Sequence, residues 1–292
     1  LLNKNLIFLT ELLEKHNIKF FVVKGQTIAN SYPRPLHRVG GDIDFYCFAE
    51  DLERLLSILH KELNVEPKRD ESEQHYTFLF NKTLFELHFT LYKFANTENQ
   101  QYFDNLINSE PLSYTFIDNK KIPTLNPTLN LAYTFLHLFH HLIELGVGLR
   151  QFCDVAILCH IAAMAEQEGD RKNCIDKTKL IEILTRLDFL KAFTTIGTIL
   201  VDEIGLLEAE FPYTLTKKDN KRKKYILNVV YKRGNFGKYG RTTKVRSGIK
   251  YYIEQTNIKQ SHYYHLFNLS RKENIALITK EIPKKILQAI KR

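Results

Sequence analysis

The chain has 292 residues, 44% hydrophobic and 26% charged, enough to bury one large core or two ordinary ones, and its 8 Pro and 12 Gly exclude a collagen-like or linker-dominated chain. No apolar run approaches the roughly 18 residues of a membrane span, and four cysteines without CxxC spacing (Cys47, Cys153, Cys159, Cys174) predict a reduced, cytoplasmic protein. The net charge of +9 is local: residues 213–250 hold thirteen Lys/Arg against one acid, Asp219, which predicts an anionic partner for that segment.

The chain opens at Leu1, not Met, and without a basic, apolar leader, so the native start is left open. Leu6, Leu9, Leu12 and Leu13 recur at helical spacing. Phe20-Phe21-Val22-Val23 reads as a short buried strand that stops at Lys24-Gly25, and a loop with Pro33 and Pro35 leads to a second strand through Ile43 to Tyr46. Leu52, Leu55, Leu56 and Leu59 give the next helix an apolar face. The runs His75 to Phe80 and Thr83 to Phe89 flank Asn81-Lys82 as a hairpin. From Asn126-Pro127 onward the pattern is helical, with Leu129, Ala132, Phe135, Leu136, Phe139, Leu142 and Ile143 on one face. Further helices follow through Phe152 to Leu158, near 178–188 and 191–204, and after Pro283. The expected fold class is α+β: a head over 1–122, with a small mixed sheet and flanking helices, then a helical domain over 123–292 containing the basic segment 213–250.

Side chains alternate faces along a strand. Asp42 and Asp44 therefore project together, about 6–7 Å apart at the α-carbons, while Ile43 and Phe45 are buried behind them. Such a pair repels itself unless a cation or a basic group sits beside it. Glu86 and His88 share a face of the later strand, with Phe85 and Leu87 on the other. If the two strands are neighbours, Glu86 completes a three-carboxylate site of the kind used in two-metal phosphoryl transfer. A D-x-D pair alone is weak evidence, since many cap loops and bind nothing.

The wording Val23-Lys24-Gly25, then Arg38, then Gly41-Asp42-Ile43-Asp44, then Glu86-Leu87-His88 resembles an uncharacterised bacterial nucleotidyltransferase family of the polymerase-β-like superfamily. Leu149-Arg150-Gln151-Phe152-Cys153-Asp154 is similar to that family's second-domain motif. The resemblance implies a minimal nucleotidyltransferase head, an active site in a cleft between head and helical body, and transfer of a nucleoside monophosphate from an NTP, ATP first, to an acceptor hydroxyl. It implies two Mg2+ or Mn2+ ions on Asp42, Asp44 and Glu86, nucleotide contacts from Lys24, Gly25, Arg38 and Gly41, and a cleft lined by His88, Arg150 and Asp154. The chain departs from the superfamily pattern in having Gln26 after Gly25 and Asp42 seventeen residues beyond it. The other reading is a non-catalytic nucleotide- or RNA-binding protein on a degenerate scaffold, which has no need of three carboxylates.

The remaining candidates have plainer readings. His137 and His141 stand at i, i+4, but no Glu follows His137 and no third ligand is evident, so a histidine-rich helix face without zinc is expected. Arg150 and Asp154, also four apart, read as a helix-surface pair. Tyr225, Tyr231, Phe236, Tyr239, Tyr251 and Tyr252 interleave the basic residues, a composition suited to RNA as the acceptor, against a small molecule or a protein. Gly234-Asn235-Phe236-Gly237 reads as a turn, since no GK[ST] follows.

Overall fold

The computed structural model describes residues 1–70, 74–144, 146–215, 219–234, 239–240 and 249–281. The chain divides into two compact units, Leu1–Lys93 with Gln101–Asn130, and Phe94–Gln100 with Leu131–Arg292. The helices of the first part are α1 (Leu2–Lys15), α2 (Gly25–Ala29), α3 (Leu52–Leu63) and α4 (Thr97–Ser109). Its strands are β1 (Phe20–Val23), β2 (Asp42–Cys47), β3 (Lys68–Arg69), β4 (His75–Phe80), β5 (Thr83–His88), β6 (Ser113–Ile117) and β7 (Lys120–Thr124). They form one mixed sheet in the order β3-β4-β5-β2-β1-β7-β6. Strand β2 is antiparallel to β1 and parallel to β5, while β7 joins β1 in parallel.

Alternation decides which face of the sheet is buried. Leu6, Leu9 and Leu13 of α1 and Leu55 and Leu59 of α3 pack with Ile43, Phe45, Phe78, Phe85 and Leu87. Each such side chain contributes about 1.5–3 kcal/mol when fully buried. The intervening residues (Asp42, Asp44, Glu86, His88) are thereby turned to the opposite face. Asn5 of α1 fixes the helix to the hairpin, donating to Thr83 Oγ1 at 2.6 Å and to the Asn81 carbonyl at 3.2 Å.

Both hairpins close through two residues in the left-handed region, Asn81 and Lys82 at φ 46° and 59°, and Asp118 and Asn119 at 46° and 68°. That backbone matches the twist of the flanking strands, so the turn fixes the register. The first hairpin is the one expected from sequence. The second, β6–β7, went unread: Ser113 to Ile117 and Lys120 to Thr124 are short, and Pro123 counts against a strand. It is accommodated because β7 meets β1 at a single register pair, Val22 with Thr124, where the Thr124 hydroxyl donates to the Val22 carbonyl at 2.8 Å.

The second unit is helical: most of α5 (Pro127–Glu144), then α6 (Leu149–Glu168), α7 (Lys177–Arg186), α8 (Leu190–Ile199), α9 (Asn220–Arg233), α10 (Ile249–Leu266) and α11 (Arg271–Ala276). The apolar face expected of α5 is buried and meets α8 and the residue before it through aromatic edges, Phe135 on Phe193 at 5.1 Å and Phe139 on Phe189 at 5.6 Å. Phe94–Gln100 belongs to this unit through polar contacts. The buried Glu273 accepts from the Ala95 and Asn96 amides, and Asn99 donates to the Leu187 carbonyl at 3.0 Å. The helix expected after Pro283 lies outside the described residues. Among the described residues no helix is long and apolar enough to cross a membrane.

Candidate active site

The parallel register of β2 and β5 sets Asp44 beside Glu86, and the antiparallel register of β1 and β2 sets Val23 beside Asp44. Asp42, Asp44 and Glu86 each bring a carboxylate oxygen within 4.8 Å of the other two. Asp42 and Glu86 are half-buried and Asp44 is buried. Lys24, the residue after β1, places Nζ 2.6 Å from Asp44 Oδ1, and His88 places Nε2 3.0 Å from the same oxygen and 3.6 Å from Glu86 Oε2. The repulsion expected between the carboxylates is thus met by two basic groups on the protein itself.

The charges respond accordingly. Burial pushes the Asp44 carboxyl up, but the Lys24 ammonium and the His88 hydrogen bond outweigh it and hold Asp44 well below the usual carboxylate range. Burial pulls the His88 imidazole down, and its hydrogen bond with Asp44 together with the nearby Glu86 carboxylate more than reverses this, so His88 is raised. The two directions agree: this is an ion pair with both members favouring charge.

The turn after β1 delivers Lys24 to this position. Lys24 has φ 55° and Gly25 φ 37°, a consecutive left-handed pair that swings the chain from β1 into α2, and the second position suits glycine for its φ alone. Arg38 Nη1 donates to the Gly25 carbonyl at 2.9 Å, tying the far end of the long insert back to the turn. Arg38 therefore lies at the turn, and Lys24 is engaged by Asp44. Gly41 is exposed with open space where a Cβ would stand. The tight position is Gly40, whose Cβ would meet Leu2 at 3.0 Å and Gln26 at 3.2 Å.

Three close carboxylates make an all-oxygen, anionic donor set, which fits a hard divalent cation. His75 was not singled out from sequence. It lies opposite His88 in the β4–β5 register with ring centroids 5.0 Å apart, and burial lowers its imidazole. Counting outward from the Asn81-Lys82 turn finds this pairing in the sequence.

Arg150 and Asp154 lie on α6 in the second unit, where Arg150 is exposed and Asp154 is buried at 4% exposure. The surface-pair reading is corrected, because α6 also buries Gln151, Phe152 and Val155 and carries Asp154 inward with them. His137 and His141 are half-buried with Nε2 atoms 3.1 Å apart. In the basic segment, Lys221 and Lys224 are exposed. Lys223 lies 2.8 Å from Asp202 and from Glu203, and Arg222 pairs with Asp219, so part of the local charge is neutralised internally. Lys217, Lys218, Lys238, Arg241, Lys244, Arg246 and the turn residues 235–237 lie outside the described residues.

Among solved structures, the chain is similar to an antigenic nucleotidyltransferase-like protein from Paracoccidioides brasiliensis, at 13% identity and TM-score 0.45 over 73% of this chain and 93% of that one. It is also similar to the antibiotic-resistance factor ANT(2'')-Ia, at 11% identity and TM-score 0.39 over 59% of this chain and 87% of that one. No curated protein matches the sequence. A family model described as an uncharacterised nucleotidyltransferase matches residues 1–201, which include the turn after β1, all three carboxylates and α6. The chain belongs to this nucleotidyltransferase family.

Proposed function

We propose that the protein is a divalent-metal-dependent enzyme that transfers a nucleoside monophosphate from an NTP, ATP first, to an acceptor hydroxyl and releases pyrophosphate. The observation that carries this reading is the convergence of Asp42, Asp44 and Glu86 within 4.8 Å on one face of β2 and β5, opposite the apolar core. Asp42 and Asp44 would hold two ions, Mg2+ or Mn2+, and Glu86 would hold one of them. Bound there, the metal supplies charge neutralisation at the transferring phosphate and lowers the pKa of the attacking hydroxyl. Glu86, half-buried and 3.6 Å from His88 Nε2, is the carboxylate we assign to receive the hydroxyl proton. The acceptor oxygen forms a bond to the α-phosphorus as the bond to the bridging oxygen breaks, and the electron pair leaves with pyrophosphate. Arg38, held at the Gly25 turn, and Lys24, beside Asp44, are the cations available to triphosphate oxygens. Positioning and charge account for most of the protein's work in such a reaction.

RNA is the acceptor class supported by the basic, aromatic composition of residues 213–250. The deciding assay measures pyrophosphate release from each NTP with Mg2+ or Mn2+, with cell RNA and with small hydroxyl compounds as acceptors. Release that requires metal and disappears in D42N, D44N and E86Q is the expected result. Nucleotide binding with no release under any of these conditions would replace the enzyme with a binding protein.

A further inference from the structure

The face that carries the three carboxylates continues onto β4. Antiparallel pairing sets His75 opposite His88 and Thr77 opposite Glu86, and parallel pairing sets Glu86 beside Asp44. The row therefore changes chemistry across three strands, from oxygen donors on β2 to nitrogen donors at the β4–β5 pair. His75, Glu86 and His88 each offer one ligand atom within 4.8 Å of the other two, so Glu86 belongs to two triads of different donor type. Hydrogen bonding alone does not account for a histidine at position 88. One ring nitrogen engages Asp44, while Nδ1 is buried with no hydrogen-bond partner among the described residues. A buried polar atom in that state calls for a ligand or another explanation.

Two imidazoles and a carboxylate differ from three carboxylates in what they bind. Oxygen-only sets suit Mg2+, whereas imidazole nitrogen shifts preference toward first-row transition ions, and two His with one carboxylate leave coordination positions open for water or substrate. We propose that His75, Glu86 and His88 form a second, nitrogen-rich position that binds one first-row transition ion in preference to Mg2+, sharing Glu86 with the oxygen-rich position. The inference shares that residue with the proposed catalytic reading but does not depend on turnover. Ligation takes the neutral imidazole, so ion binding releases the His88 proton to solvent as the metal's charge replaces it beside Asp44.

The test uses the full chain, freed of metal by chelator dialysis and titrated with Co2+ as a spectroscopic probe. One Co2+ per chain should bind with an intensified visible d–d band characteristic of nitrogen ligation at low coordination number, and excess Mg2+ should not remove it. The band should persist in D42N, which alters only the oxygen-rich position. It should vanish in H75A, with affinity falling by more than the roughly 10–100-fold that loss of an outer hydrogen-bond partner costs a metal site. His75 is half-exposed, so H75A is expected to fold, and H75N gives a second variant to the same end. Co2+ that binds without the band, is displaced by Mg2+, or binds H75A and H75N as tightly as the unmodified chain overturns the proposal. Failure of the catalytic reading looks different: no metal-dependent pyrophosphate release, with the Co2+ band intact.

Discussion

Asp42 and Asp44 stand two residues apart on β2, and the structure separates what their removal should do. Repulsion considered alone says that changing either to an amide relieves strain and raises the melting temperature. Asp44, however, is buried with an ammonium at 2.6 Å and an imidazole at 3.0 Å on one oxygen. D44N leaves Lys24 at 12% exposure without that charge beside it, and the expected loss is roughly 3 kcal/mol in urea unfolding. Asp42 is half-buried and more solvated, so D42N should stay within about 1 kcal/mol of the parent. Equal stability for the two variants would show that the Lys24–Asp44 pair contributes nothing net. A second single-residue expectation concerns His262, whose Nδ1–H donates to the Ile143 carbonyl at 2.9 Å. Burial lowers its imidazole more than that bond raises it, so the unfolded chain takes up the proton first as pH falls. Its contribution is intact above the ordinary imidazole pKa of 6.5 and is lost as pH drops from there through the folded value. Urea midpoints at pH 8 and pH 5.5 should differ less in H262Q than in the parent, and an identical difference would remove His262 as a source.

Helix α8 shows how one position without a side chain sets the packing of a whole element. Phe211 stacks on Phe193 at 4.7 Å and crosses the helix at Gly197, where an added Cβ would lie 2.3–2.8 Å from the Phe211 ring. That ring is itself buried, so it cannot swing into solvent without giving up the aromatic contact. G197A gains helix propensity yet should be destabilised by about 1–3 kcal/mol through overpacking. Pairing it with F211A distinguishes the causes: in the smaller background, G197A should become neutral or stabilising. If G197A is stabilising in the parent, the overpacking account fails. The contrast with Gly25 is instructive, since there space is ordinary and the backbone angle is what demands glycine.

For the whole chain, the uneven charge is the property with a measurable consequence. With RNA as partner, affinity falls with salt at a log–log slope of about −0.7 per neutralised phosphate on single strands. Four consecutive cations, Lys221 to Lys224, suggest from sequence a change of nearly 3 units when all are removed. Their placement lowers the expectation, because Arg222 is held by Asp219 and Lys223 by Asp202 and Glu203. Replacing Lys221 and Lys224 with Gln should make the slope shallower by about 1.4 units, and adding K223Q should change it little. An unchanged slope in the double variant makes this face of α9 a solvated surface and moves the acceptor toward a small molecule or a protein hydroxyl.

The sequence by itself determined the local facts. Alternation named the faces of β2 and β5, leucine spacing named α1 and α3, and Asn81-Lys82 named a hairpin, because each depends on residues within one turn or one strand of one another. The three carboxylates were legible for the same reason: each is the polar partner of a buried neighbour in the chain. What only the tertiary structure decided was which strands are neighbours. The parallel β2–β5 pairing brings together residues more than forty positions apart and turns a D-x-D and a lone Glu into one cluster. Lys24 reached Asp44 through a left-handed turn that sequence does not announce at a lysine. Pro123 hid a strand that long-range pairing nevertheless stabilises, and Asp154 went inward with the buried face of α6 that also carries Gln151, Phe152 and Val155. Periodicity reports a residue's face, but the partner opposite that face is a long-range contact and belongs to the fold.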